Sequence, residues 1–189
     1  MAVEGWCPVE DLVRWAFAHA PVVMAYEAHS GLARCVRTRE VGVRMVRAAH
    51  EAGVRRLIGA ALDLGWTLWA YEAVFEITPD TDREHLRSME FTNWREREQA
   101  ANLGRLVDAA PGEPLLVWCG NSHASKMEHE EWIPMGWHFR DMSGVDPFVI
   151  DQDVTVDFGR EPQPWVRELL AGWAGVDALV VSTDNEMTA

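Results

Sequence analysis

Glu27 and His29 stand two residues apart at the end of an apolar run at 21–27, and His123 closes a second run at 114–119 within Gly120-Asn-Ser-His123. A third run, 66–72, ends in another carboxylate, Glu72. Residues two apart on an extended chain point to the same side. A carboxylate beside an imidazole suits general base catalysis, and equally the ligation of one metal ion. If the three runs are parallel strands of one sheet, their carboxyl ends share an edge, and ligands bind in the crevice outside such an edge. Two glutamates and two histidines distant in sequence then meet there.

The segment after the third run adds a cation. Asn93 with Glu96 three residues on reads as a capping box opening a helix to about Ala110, which Pro111-Gly112 ends. Its apolar stripe, Leu103, Leu106, Val107 and Ala110, continues backward as Gln99, Glu96 and Arg95, so its buried side turns polar in the first turns. A buried charge needs a partner, and Arg95 is expected to meet a carboxylate such as Glu72 or Glu27. Arg37, just beyond His29, is a second candidate for holding an anion. Asn121 and Gln99 are expected to touch substrate, and Trp94, Trp132 and Trp137 are candidates for its walls. Ser122 is not read as a triad nucleophile, because no strand-to-helix elbow with flanking glycines surrounds it. Cys119 is more simply a buried strand residue than a nucleophile.

The elements that position these groups read as α/β. A helix at 8–20 buries Val9, Leu12, Val13 and Ala16, and a second runs over 37–52 with Gly53 ending it. A strand start is expected at 54–58. Too few residues separate Ile58 from Trp66 for a crossover between parallel strands, so an element is missing near 57–58. Residues 77–91 read as a polar loop or lid, 126–144 as irregular, 147–158 as a strand or antiparallel hairpin, 165–173 as a short helix and 178–181 as a strand. Trp69 and Trp118 are expected in the core of their strands. The expectation is one domain: a central, mostly parallel sheet flanked by helices, with an antiparallel C-terminal addition.

The chain has 189 residues, 48% hydrophobic and 25% charged, which suits a single globular core. Its formal charge of -13 disfavours nucleic acid and anionic membrane surfaces as partners. No run reaches the roughly 18 apolar residues of a membrane helix. Glu4, Glu10 and Asp11 stand where an export signal would be basic, and the three cysteines form no disulfide framework, so a cytoplasmic location is expected. Lys126 is the only lysine, a composition common in GC-rich bacteria.

On Glu27-x-His29, Arg95 with Gln99-Ala-Ala-Asn-Leu103, and Gly120-Asn-Ser-His123, the chain resembles the superfamily of ChaN-like haem-binding proteins, erythromycin esterases and Tiki/TraB-type proteins. The resemblance covers about residues 20–125 and implies one pocket on an α/β scaffold of two similar halves. It implies a hydrolase of an ester, lactone or amide in a small molecule or peptide. His29 or His123 is then the base, with Glu27 and Glu72 orienting and Arg95 on the oxyanion. It also admits a divalent metal on Glu27, His29 and His123. The alternatives are a binder of haem or another planar ligand, with Tyr26 and histidine as iron ligands, or a catalytically degenerate member. Two departures stand out: Tyr26 replaces the usual glycine, and no acidic residue follows the second strand near Leu57.

Overall fold

The computed structural model describes residues 8–27, 44–45, 67–76, 78, 81–120, 122–152 and 175–179, with backbone alone at 26, 27 and 179. Four strands form one sheet: β1 (Val22–Glu27), β2 (Leu115–Gly120), β3 (Phe148–Asp151) and β4 (Ala178–Leu179). They lie in the order β2-β1-β3-β4, and every pairing is parallel. Parallel neighbours need crossovers, which place helices on the sheet faces. Three helices are described: α1 (Val9–His19), α2 (Met89–Ala109) and α3 (Met135–Ser143).

Strand periodicity divides the core into two layers. Val23, Ala25, Leu116, Phe148 and Ile150 face α1 and meet Leu12, Val13 and Ala16. Met45, helical in backbone, joins that layer, and neighbouring Arg44 pairs with Glu10 at 2.7 Å. Val22, Met24, Val117, Cys119 and Val149 form the other layer with Ala100 and Leu103 of α2 and Met135 and Phe139 of α3. The helix at 8–20 therefore forms with the expected buried face.

Several expectations are corrected. Residues 67–76 form no strand, and Trp69 is 65% exposed. The segment crosses beside β2 through side chains: the Tyr71 hydroxyl donates to Trp118 O at 2.8 Å, and Asn102 Nδ2 donates to the carbonyls of Tyr71 and Glu72. Backbone oxygens answered by a helix side chain need no ladder partner. The polar stretch expected at 77–91 ends early, because α2 begins at Met89 with Ser88 as its cap. Part of the stretch read as irregular is α3, which follows Pro134 and ends at Gly144 with φ 70. Residues 148–151 are no antiparallel addition. They are an interior strand, all four buried, parallel to both neighbours. The expected elements at 37–52, apart from Arg44 and Met45, and at 54–58 and 165–173, with the break near 57–58, lie outside the described residues.

The C-terminal side is tied in by Lys126. Its Nζ reaches Asp177 at 2.8 Å and Asp146 at 3.3 Å, and its side chain is 9% exposed. Asp177 also accepts from Val149 N at 2.8 Å, which links this pair to β3. Among the described residues no helix is long and apolar enough to cross a membrane.

Candidate active site

β1, β2 and β3 end together: Glu27 is level with Gly120, and Tyr26 with Asp151. α2 precedes β2 and runs the opposite way, so its first turns lie over this carboxyl edge. The chain leaves β2 through a tight turn in which Ser122 has φ 61, a left-handed conformation uncommon outside glycine and asparagine. His123 N donates to Gly120 O at 3.2 Å within that turn. No helix follows Ser122, in keeping with its exclusion as an elbow nucleophile.

The turn delivers His123 to Glu96. The carboxylate is 1% exposed, while the imidazole remains 32% exposed. Glu96 Oε1 holds His123 Nδ1, and Glu96 Oε2 accepts from Met135 N at 2.7 Å. Met135 is the first residue of α3, so the buried charge also faces the positive end of a helix dipole. An ionised carboxylate only accepts, which places the imidazole proton on Nδ1 and leaves the Nε2 lone pair for chemistry. The backbone is fixed as well: Gly136 N donates to His123 O at 2.9 Å. A Cβ on Gly136 would stand 1.9 Å from Ala124 O, so α3 docks closely only because residue 136 has no side chain. Trp132 meets the imidazole edge to face with centroids 5.8 Å apart, and His129 stacks on Trp132 at 5.4 Å.

Glu96 is the residue that sequence reasoning missed. Its spacing from Asn93 reads as a cap for their own helix, yet both serve the loop before α3. Asn93 Oδ1 accepts from Ile133 N at 2.9 Å, and its Nδ2 donates to Glu131 O at 2.9 Å. The usable signal was the polar patch on the buried face of α2.

Beside this pair lies a second one. Arg95 Nη2 reaches Glu72 Oε2 at 2.7 Å, and Arg95 Nε and Gln99 Nε2 reach Glu72 Oε1 at 3.3 and 2.8 Å. Arg95, Gln99 and Asn102 share one helix side at spacings of four and three, so together they grip 71–72. Burial pushes the Glu72 carboxyl up, but donation from Arg95, Gln99 and the Ala73 N–H outweighs it and holds the group below the ordinary carboxylate range. Glu72 therefore carries charge and does not deliver a proton at neutral pH. Burial, with the charges of Cys119, Glu72 and Glu96, raises the Tyr71 phenol and keeps it a donor. Burial, then Arg97, lowers His138 on α3 and favours its neutral form.

Of the expected site residues, the structure brings Glu72, Arg95 and Gln99 into one cluster and pairs His123 with Glu96. It puts Trp94 in an aromatic group with Phe75 and Phe91. Glu27 is placed by its backbone alone, level with Gly120. His29, Arg37 and Asn121 lie outside the described residues. Cys119 is buried, with its thiol 3.7 Å from Ala25 O. Among the described residues, no three His, Cys, Asp or Glu side chains converge to hold a metal ion. No family model, curated protein or solved structure matches the chain.

Proposed function

We propose that the chain is a hydrolase of ester, lactone or amide bonds, with His123 as its general base. The observation that carries this reading is the buried Glu96 carboxylate on His123 Nδ1, with the imidazole still 32% exposed. In this scheme His123 Nε2 takes a proton from water while the water oxygen bonds to the substrate carbonyl carbon. The resulting imidazolium, held by Glu96, returns the proton to the leaving oxygen or nitrogen as the bond to carbon breaks. Glu72 holds Arg95 through Nε and Nη2, which leaves Nη1 outside that pair and able to donate to the oxyanion. Glu27 ends the neighbouring strand and, with His29 two residues on in the sequence, is the other candidate metal ligand. Gln99 holds Glu72 in place, and Arg37 and Asn121 are assigned to substrate from the sequence alone.

This assignment follows the resemblance to the erythromycin esterase and Tiki/TraB-type superfamily, and the residue types at the sheet edge support it. A panel of activated esters, lactones and dipeptides provides the test, run with and without added divalent metal. Turnover by the native chain should fall by about 10²–10⁴-fold in His123→Ala, with the circular dichroism spectrum retained. Turnover of the variant at the native rate would refute the role given to His123.

A further inference from the structure

The first turns of α2 carry a second feature on another side of the helix. Glu90, Phe91 and Trp94 line an open cavity of about 360 Å³ together with His85 from the 3-10 turn His85–Arg87. At about 100° per residue, Trp94 lies roughly 200° around the helix from Glu96, so this cavity is separate from the His123 pair. Its aromatic lining is Phe91 and Trp94, with the His85 imidazole beside them. Phe91 and Trp94 are 5.3 Å apart and inclined by 31°, which makes them one wall. Phe75, outside the lining, packs against both at 86° and 80°, with centroids 5.1 and 6.2 Å away. His85 meets Phe91 at 64° and 5.5 Å.

Phe91 and Trp94 are half-buried and belong to neither core layer, and the apolar stripe of α2 that faces the sheet is Ala100 and Leu103. Aromatic faces carry negative potential, so a cation within about 6 Å of a ring centroid is attracted. The carboxylate of Glu90 on the rim adds to that field, and the formal charge of -13 gives the whole molecule the same sign. The nearby guanidinium of Arg95 is neutralised by Glu72. A volume of this size suits a small ligand.

We infer that the cavity formed by His85, Glu90, Phe91 and Trp94 binds a small organic cation of the alkyl- or trimethylammonium type. Phe91, Trp94 and His85 contact its methyl groups on one side, and Glu90 answers its charge. This does not depend on the hydrolase reading.

Calorimetric titration of the full chain with choline tests the inference, alongside the uncharged dimethylbutanol in which carbon replaces the ammonium nitrogen. Choline should bind saturably and roughly 3- to 30-fold more tightly than its neutral isostere. Trp94→Ala should abolish saturable binding. Glu90→Gln, a rim change that leaves packing intact, should weaken choline several-fold while hardly affecting the neutral compound. Equal affinity for the two probes, absence of saturable choline binding, or unchanged affinity in both variants would each overturn the assignment.

Discussion

Replacing Glu96 by glutamine keeps the side chain's shape and removes only its ability to accept at both oxygens. In the native chain one oxygen holds His123 Nδ1 and the other accepts from Met135 N. Glutamine offers one acceptor and one donor, so a single orientation cannot serve both. With its NH₂ toward Met135, two N–H donors confront each other where the side chain is 1% exposed. An unanswered buried donor costs about 1–3 kcal/mol. With its NH₂ toward His123, the imidazole must accept at Nδ1 and carry its proton on Nε2, which removes the lone pair a general base needs. The second orientation is expected, because an imidazole can change tautomer and a backbone amide cannot. Even so, neutral bonds replace charge-assisted ones about twice as strong, and a loss of roughly 1–2 kcal/mol should remain. Two-bond ¹H–¹⁵N spectra of the histidine rings should show His123 changing from the Nδ1–H to the Nε2–H form. Urea unfolding should report the stability loss at an unchanged m-value. A variant with the native tautomer and native stability would refute the proposed pairing, whatever its activity.

Other expectations follow from the same contacts. The Glu72 carboxyl is held low in the folded chain, so its contribution is present above the ordinary glutamate value of about 4.3 and disappears as pH falls through the lower folded value. The stability difference between native protein and Glu72→Gln should thus be constant near neutrality and shrink in acid. It should stay below about 1 kcal/mol, because the Glu72 side chain is 52% exposed. A difference that grows on acidification would contradict the assigned direction. Gly136→Ala forces a methyl group to within 1.9 Å of the Ala124 carbonyl oxygen, so α3 must shift. A loss of roughly 3 kcal/mol or more is expected in thermal unfolding, and a neutral result would mean that α3 does not dock as described.

Much of the scaffold was legible because its signals are local. The spacing of Val9, Leu12, Val13 and Ala16 names the buried side of α1, and the apolar runs before Glu27 and Gly120 name two paired strands. The polar patch on α2 likewise marked where side chains would converge. Other features turn on partners that no local pattern reveals. The run at 66–72 has the residue types of a strand, but 67–76 form none, and Asn102 takes the carbonyls of Tyr71 and Glu72. Asn93 and Glu96 have capping-box spacing, yet their acceptors serve Ile133 and Met135, some forty residues downstream. Phe148–Asp151 is buried on both faces, the mark of an interior parallel strand, whereas alternation over 147–158 leaves both a strand and a hairpin open.

Lys126 gives the molecule an unusual chemical character. The one lysine amine in the sequence is sequestered between Asp146 and Asp177 and almost closed to water. Acylating reagents, aldehyde fixatives and enzymes that tag lysines therefore meet a surface nearly without targets. Modification at Lys126 would instead mark molecules in which its pairing with Asp146 and Asp177 has come undone.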